Sequence, residues 1–398
     1  MHTNDRRRRV YLRDMRKWTH IGIVGAGTMG GGIAQVAAEA GCRVTLVDAS
    51  QEALAKHESS LQATMDKLVA KGRRSQEQAD NALSNILRTP DLKALSEADM
   101  VVEAIVESME AKQKLFQTLE QVVSSQCVLA TNTSSLSVTG VASACRHPER
   151  VVGLHFFNPA PLMGLVEVIP ALQTDSALGP HAMDTLTSWG KFPALVQDTP
   201  GFIVNRVARP FYSEAIRILE EGLASVEDID ASMKDLGFRM GPFELMDLIG
   251  HDVNYAVTST VHAAFFGDPR YRPSHTQRQL VAANWLGRKK GRGFYAYNAE
   301  GKHNTTGQVV EGVGQRILTM LMNEAADAVF WQVASPEAID TAMQKGVNYP
   351  KGLLAWLDER GAQDVVSEMD ALHQRYGEER YRCSPILRDM VRTESKFF

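Results

Sequence analysis

No stretch of the 398 residues is apolar for long enough to cross a bilayer. Cysteine is scarce. Cys42, Cys127, Cys145 and Cys383 stand far apart with no CxxC pair, which removes a metal or disulfide framework and suits a reducing cytoplasm. Positive charge is not in excess either. The formal net charge of −4 excludes a nucleic-acid protein held by phosphate contacts, though it leaves room for a local basic patch. What is present is ordinary for a globular protein, with 44% hydrophobic and 23% charged residues, and the length calls for two or three domains. The one biased segment is residues 1–17, with Arg6-Arg7-Arg8-Arg9, Arg13, Arg16 and Lys17. No apolar core follows it, so it is not a secretory signal, and its acids and lack of serine argue against a transit peptide. It reads as a disordered basic tail or the product of an upstream start codon.

The first half alternates strand-like and helix-like segments. Apolar runs occupy 21–24, 44–47, 100–105, 128–131, 151–156, 165–169 and 194–197. Most are continuous rather than alternating, as in strands covered on both faces. Between Asp48 and Met100 lies a charged, helix-forming stretch without strand signals, read as a helical hairpin broken near Lys71-Gly72-Arg73-Arg74. The pattern predicts an α/β fold, a doubly wound parallel sheet carrying a helical-hairpin insertion. From about Thr199 the patterning turns helical, and Pro200-Gly201 punctuates the change. Residues 214–233 (EAIRILEEGLASVEDIDASM) and 324–343 (EAADAVFWQVASPEAIDTAM) agree at eight of twenty positions at a fixed offset of 110. That self-similarity predicts two tandem all-α domains, 200–297 and 306–398, joined by a polar linker at 298–307 and following a nucleotide-binding domain at 18–199.

Gly25-Ala26-Gly27-Thr28-Met29-Gly30 fits G-x-G-x-x-G between an apolar strand and a helical run. Gly25 permits the tight turn, Gly27 lets backbone approach a pyrophosphate, and Gly30 allows close helix–strand packing. The phosphates then meet free N–H groups at a helix N-terminus. Asp48 follows 18 residues after Gly30, at the end of the second strand. A carboxylate there accepts from both adenosine ribose hydroxyls and repels a 2′-phosphate, so NAD is expected over NADP.

Two further segments carry chemistry: Asn132-Thr133-Ser134-Ser135-Leu136, and Gly153-Leu154-His155-Phe156-Phe157-Asn158-Pro159 followed by Leu165-Val166-Glu167-Val168-Ile169. Pro159 and Pro161 force a turn between the two apolar runs. If these pair back on each other, His155 and Glu167 face across the ladder, roughly 4.5–5.5 Å apart at Cβ. A buried carboxylate beside an imidazole fixes its tautomer and raises its pKa. Such a pair suits alcohol oxidation, with the imidazole removing the hydroxyl proton as a hydride leaves the same carbon. Ser134 and Asn205 can donate to the substrate oxygen. A buried core histidine with a structural glutamate is the plain alternative.

At this point the sequence resembles the 3-hydroxyacyl-CoA dehydrogenases. The resemblance runs through residues 22–30, 101–107, 132–136, 153–158 and 165–169, then Asp198-Thr199-Pro200-Gly201-Phe202-Ile203-Val204-Asn205-Arg206, Gly241-Pro242-Phe243-Glu244-Leu245-Met246-Asp247 and Lys290-Gly291-Arg292-Gly293-Phe294-Tyr295. It covers about 18–297 in order. It implies a Rossmann-type domain, a catalytic pair His155 and Glu167, and substrate-orienting Ser134 and Asn205. It further implies cofactor-side roles for Glu107, Lys112, Asn158 and, less closely, Lys289, which sits in Gly-Arg-Lys-Lys-Gly. An exposed pair at a helix start is the plain alternative for Glu107 and Lys112. By the same resemblance the hairpin after Asp48 would carry CoA, with Ser60 and Lys67 near the family's contacts and Lys71, Arg73 and Arg74 adding charge for a 3′-phosphoadenosine, although a solvated helix face is the plainer reading of any single one of them.

In shorter members the helical domain forms a homodimer interface, which a second copy in the same chain would imitate. That copy has Gly314-Gln315-Arg316 where the first has Val204-Asn205-Arg206, so it is not expected to form a second active site. A lone dehydrogenase with this duplicated tail is similar to bacterial enzymes of phenylacetate catabolism that act on 3-hydroxyadipyl-CoA, with 3-hydroxybutyryl-CoA as the competing substrate. A dicarboxylate chain end needs a cation deep in the acyl pocket, for which Arg206 and Arg209 are candidates. Two other functions fit the nucleotide loop. One is a dehydrogenase of free 3-hydroxy acids, which would carry a catalytic lysine on a helix. The other is a non-catalytic NAD-binding protein of the lens-crystallin kind, against which the joint presence of His155, Glu167, Ser134 and Asn205 argues.

Overall fold

The computed structural model describes residues 17–303 and 306–398. The arginine run expected to form a basic tail, and part of the expected polar linker, lie outside the described residues. The chain divides after Thr199 into two compact units. Among the described residues, no helix is long and apolar enough to cross a membrane.

The first unit is an eight-stranded sheet in the order β3-β2-β1-β4-β5-β6-β7-β8. Its strands are β1 His20–Val24, β2 Arg43–Val47, β3 Ile86–Thr89, β4 Met100–Glu103, β5 Val128–Thr131, β6 Val151–Phe156, β7 Leu165–Pro170 and β8 Phe192–Leu195. All neighbours run parallel except β6 and β7. Helices on both faces explain the continuous apolar runs: Ile21, Ile23, Val44, Leu46 and Val102 are wholly buried. The chain runs β1 to β2 on one side of β1 and then returns to β4 on the other. This places a topological switch point between β1 and β4, the place where such sheets bind ligands.

The stretch between Asp48 and Met100 differs from expectation, because it contains β3. This is a four-residue edge strand in which only Ile86 is buried and Leu87 is 56% exposed. A half-solvated edge segment this short lacks the apolar continuity that marks the central strands. The hairpin before it is as the sequence suggests. It comprises α1's neighbour α2 (Gln51–Ala70) and α3 (Gln76–Ser84), where α1 is Thr28–Glu39. Gly72, at φ +64°, makes the break. Ser75 starts α3 with a reciprocal capping box to Gln78. The remaining helices of the unit are α4 Met109–Val122, α5 Val138–Ala142 and α6 Leu178–Ser188.

The second unit is helical and repeats itself. After the short α7 (Val204–Val207), the first copy runs α8 Arg209–Glu220, α9 Val226–Asp235, α10 Pro242–Ile249, α11 His251–Ala264 and α12 His275–Ala282. The second runs α13 Val313–Phe330, α14 Pro336–Val347, α15 Leu353–Arg360, α16 Ala362–Tyr376 and α17 Pro385–Thr393. The junctions repeat in atomic detail. Ser225 caps α9 and Ser335 caps α14. Asp230 accepts from the N–H groups of Phe243 and Glu244 at the start of α10, as Asp340 does from Leu354 and Ala355 at the start of α15.

The two copies also exchange equivalent buried charges. Arg206 bonds Glu324 at 2.8 Å and Asp327 at 3.0 Å, while Arg316 bonds Glu214 at 2.7 Å and Glu221 at 3.0 Å. Tyr271 donates to Glu324 and Tyr381 to Glu214. Residue i of one copy meets j of the other and the reverse, the signature of an isologous interface inside one chain.

Candidate active site

The parallel strands β1, β4, β5 and β6 all end on the same edge of the sheet, and the sequence-predicted residues of the first unit gather there. The glycine loop leaves β1. Gly25 has φ +106°, and a Cβ on it would lie 2.6 Å from the Ala104 carbonyl oxygen. A Cβ on Gly30 would lie 1.8 Å from the Gly25 carbonyl oxygen, so only glycine lets α1 pack this close. At Gly27, by contrast, nothing lies within 4 Å, leaving the exposed backbone of the turn open to a ligand. Thr28 and Met29 start α1. Asp48, at the end of β2, has a second job that the sequence did not announce. It accepts from Ala26 N–H at 2.7 Å and Ser50 N–H at 2.8 Å, tying the loop to the start of the hairpin. Each carboxylate oxygen keeps a lone pair for a further donor. An open Gly-rich turn at a helix N-terminus, with an acid one strand away, fits a dinucleotide pyrophosphate and ribose.

Beside this loop, β4 ends in Glu103, a residue missed in the sequence. Its side chain is fully buried and accepts from Lys112 Nζ at 2.6 Å, Thr131 Oγ1 at 2.6 Å and the Ile105 N–H at 2.7 Å. Lys112 is therefore not half of an exposed pair. It is 1% exposed and reaches inward to both Glu103 and Glu107, the latter at 3.3 Å. The available signal was an acid closing an apolar strand, with a lysine on the helix that follows.

Glu107 in turn holds the β5 loop, accepting from Thr133 Oγ1 at 2.6 Å and the N–H groups of Ser134 and Ser135 at 2.9 and 3.2 Å. Burial alone would raise its pKa. The Thr133 bond, the charge of Lys112 and the Ser134 bond outweigh it and hold the carboxyl below the usual range. Ser134 is thus fixed by the same carboxylate. Asp198, also missed, pins the next turn by accepting from Ser137 Oγ and the N–H groups of Val138 and Thr139.

His155 and Glu167 are direct partners in the antiparallel β6–β7 register. His155 Nδ1 lies 2.6 Å from Glu167 Oε2, with His155 buried and Glu167 wholly so. A carboxylate only accepts, so Nδ1 carries the proton and the lone pair sits on Nε2. The Phe157 ring tilts against the imidazole at 4.3 Å. Asn132, at the end of β5, accepts from the Phe156 N–H at 2.8 Å and locks the Ser134 loop to the His155 strand. Asn158 is exposed in the turn that follows.

Ser60 lines a groove of about 720 Å³ together with Lys56, His57, Arg73 and Arg74 on the hairpin side and the 27–28 turn opposite. Lys67 is exposed on the same helix but outside that lining, and Arg74 is held by Glu39 at 2.7 Å. Asn205 and Lys289 belong to the helical unit. Asn205 is half-buried in α7. Lys289 forms a surface pair with Asp252 at 2.6 Å. Arg206, one of two candidates for a deep acyl-pocket cation, is fully engaged by Glu324 and Asp327 and is not available for that role.

Comparison with known proteins identifies the family of both units. The model of the 3-hydroxyacyl-CoA dehydrogenase NAD binding domain matches residues 20–199. That of the same family's C-terminal domain matches twice, over 201–297 and 313–396. The chain is 37% identical to the 3-hydroxyadipyl-CoA dehydrogenase of Escherichia coli K12, over 95% of this chain and 98% of that one. It is 41% identical to the human mitochondrial hydroxyacyl-coenzyme A dehydrogenase, over 70% of this chain and 91% of that one. The crystal structure of a 3-hydroxybutyryl-CoA dehydrogenase from Escherichia coli K12 superposes with a TM-score of 0.91 at 36% identity, covering 95% and 99% of the two chains. Matched through its sheet and through both helical copies, the chain is an NAD-binding oxidoreductase that belongs to the 3-hydroxyacyl-CoA dehydrogenase family.

Proposed function

We propose that His155 is the acid–base and Glu167 its brace in the oxidation of a (3S)-3-hydroxyacyl-CoA to the 3-oxoacyl-CoA. The observation that carries this reading is the buried 2.6 Å His155–Glu167 contact at the strand edge that also bears the glycine loop. Bound NAD supplies the hydride acceptor. His155 Nε2 takes the 3-hydroxyl proton, and the imidazolium so formed stays against the Glu167 carboxylate; in the reverse direction it returns that proton to the oxygen. Ser134 and Asn205 orient the hydroxyl oxygen, and Asn158 supports the nicotinamide side. Asp48 takes the ribose hydroxyls, Glu107 and Lys112 fix the loop against the cofactor, and Lys289 is assigned to the cofactor side by resemblance alone. The groove at Ser60, with Lys67 on the same helix, carries CoA, its charge supplied by Arg73 and Arg74.

We assign the domains as 18–199, 200–297 and 306–398, with the second helical copy degenerate as a site. The helical face that shorter members use to dimerise is the one the in-chain copy meets, so any homodimer would use other surface. Both 3-hydroxyadipyl-CoA and 3-hydroxybutyryl-CoA are candidate substrates, since relatives carry either name. We place the enzyme in the cytoplasm, in phenylacetate catabolism or β-oxidation according to which ester it uses. The test is NADH production from 3-hydroxyacyl-CoA esters by the full chain and by His155→Ala. The variant should lose about two to four orders of magnitude in kcat. Full activity in it would end the assignment.

A further inference from the structure

The internal symmetry of the helical unit breaks beside Arg380, and the break leaves a basic cavity. In the first copy Arg270, in the turn before α12, bonds Asp327 of α13 at 2.8 Å and lies 3.5 Å from both Glu324 and Asp268. At the offset of 110 its counterpart is Arg380, and the counterpart of Asp327 is Arg217. The acid that holds Arg270 is thus a base on the other side. Arg380 is 5% exposed. Among the described residues its guanidinium makes no hydrogen bond, and its Nε is sealed without a partner. The one carboxylate within reach, Glu214, stands 4.0 Å away and is already bonded by Arg316 and Tyr381. A buried guanidinium short of hydrogen bonds is costly unless an anion joins it.

Arg380 lines a cavity of about 510 Å³ with Ser213 and Arg217 of α8, with Arg272, and with the start of α12 at residues 274–276. Three guanidiniums therefore border one space. Arg217 and Arg272 share the carboxylate of Glu378; Arg217 bonds one oxygen and Arg272 lies 3.8 Å from the other. The acid on the lining itself, Glu220, accepts from the Thr276 hydroxyl at 2.7 Å. As the first two residues of α12, His275 and Thr276 have N–H groups with no intrahelical acceptor. The second copy shows the same place closed. Asn323, the counterpart of Ser213, is buried there; its amide donates to the Arg382 carbonyl at 3.1 Å and accepts from the Ser384 N–H at 2.8 Å. Ser213 is too short for this and bonds back to the Arg209 carbonyl of its own helix. The Ser274 N–H, counterpart of that of Ser384, is left without a partner among the described residues. Asp327, Phe330, Pro385 and Ile386 stand where the cavity has Arg217, Glu220, His275 and Thr276. The helical scaffold therefore needs neither the opening nor its charge.

We propose that this cavity is a binding site for the phosphoryl group of a small phosphorylated molecule. Guanidinium forks match phosphate oxygens in pairs, and free N–H groups at a helix start complete such a cradle. A dianion with three oxygens suits three guanidiniums and a row of N–H groups better than a carboxylate with two. The volume exceeds that of an inorganic ion and falls in the range of about 300–1,000 Å³ usual for small-molecule sites. Arg380 comes from the second copy and the other donors from the first, so the ligand bonds both copies and stabilises the fold. The site is independent of the oxidation reaction.

The test is titration calorimetry of the full chain with inorganic pyrophosphate at fixed ionic strength, on the wild type, Ser213→Asn and Arg272→Ala. The wild type should bind with a Kd below about 1 mM. Each variant should bind at least about tenfold more weakly, the effect of one lost charge-assisted contact or of a blocked cradle. Ser213→Asn copies the closed half, so without ligand it should melt no lower than the wild type. Arg272 has a side chain 56% exposed, and its replacement keeps the test open should Ser213→Asn fold poorly. Pyrophosphate should raise the melting temperature of the wild type and leave that of both variants nearly unmoved. A wild-type Kd above about 1 mM, or binding unchanged in Arg272→Ala or in a folded Ser213→Asn, overturns the proposal, since the anion would then sit elsewhere. Malonate bound as tightly as pyrophosphate would make the cavity a carboxylate site and refute the phosphoryl assignment.

Discussion

Replacing Glu167 by glutamine tests the brace while sparing the packing, since the amide has nearly the carboxylate's shape and the site is wholly buried. Two losses follow from the 2.6 Å contact to His155 Nδ1. If the amide oxygen faces the ring, the tautomer is kept and only the charge is lost. Hydrogen bonds to charged groups contribute about 1.5–3 kcal/mol against about 1 kcal/mol for neutral ones. The difference of about 0.5–2 kcal/mol falls on the step in which the imidazolium forms, a slowing of about 2- to 30-fold. If the amide N–H₂ faces the ring instead, Nδ1 must accept, Nε2 carries the proton, and the base is absent. The loss then approaches the two to four orders of magnitude of a missing general base, so kcat should fall by more than about twofold in either case. Initial rates of NADH formation give kcat, quenching of protein fluorescence gives NADH affinity, and circular dichroism checks the fold. A kcat within about twofold of wild type in a folded variant would refute the brace. So would a fall in kcat fully matched by a fall in NADH affinity, which would place Glu167 in cofactor binding instead.

Asp48→Ala removes the acceptor that ties Ala26 and Ser50 together as well as the proposed ribose ligand. The KM for NAD should rise about tenfold or more, and an unchanged KM would remove Asp48 from the cofactor site. Glu107 has a depressed folded pKa, so its ionised form stabilises the fold above the unfolded value of about 4.3, and that stability is lost as pH falls through the folded pKa. The stability gap between wild type and Glu107→Gln in urea unfolding should be open at neutral pH and close below about pH 4. A gap that widens on acidification contradicts the sign. Glu324→Gln leaves Arg206 and Arg270 short of a buried counter-charge and should cost about 3 kcal/mol, lowering the melting temperature by about 6–12 °C; a shift under about 2 °C would show that the network is idle. A chain ending at residue 303 uncovers the α8 face that α13 meets, and should self-associate or melt earlier; an unaltered oligomeric state and melting temperature would contradict the interface reading.

Much of the sheet, and the facing of His155 and Glu167, was legible because the signals were local. Continuous apolar runs marked β1, β2, β4, β5, β6 and β7, and the Pro159/Pro161 turn between two of them set His155 opposite Glu167. The strand at Ile86–Thr89 escaped because an edge segment with one buried residue has no pattern to detect. Glu103 escaped for the opposite reason. It closes an apolar run and looks like a strand's solvent end, yet it is buried by a lysine nine residues on and a threonine from the next strand. Lys112 shares the same partnership, so its burial could not be read from either residue alone. Asp198 was visible only as part of a motif, since the helix it caps lies some sixty residues earlier.

The two helical copies separate what the scaffold requires from what the site requires. Helix-start acceptors Asp230 and Asp340, the arginines 206 and 316, and their glutamates 324 and 214 recur because each helix end and each cross-copy contact must be satisfied wherever the fold is built. The correspondence extends to Asp247 and Asp358. The first accepts from the N–H groups of Phe294 and Tyr295, the second from those of Phe397 and Phe398, so each copy folds its trailing segment back onto the same acid. Against that repetition, the changes are selective. Asn205 becomes Gln315 and Arg209 becomes Thr319 while the arginine between them is kept. If the second copy were still selected for substrate, the retained arginine and the altered neighbours would have no common explanation. If it is selected only to cover the first, both follow: the buried charges on the shared face must stay complementary, and positions 315 and 319 are free to take whatever packs.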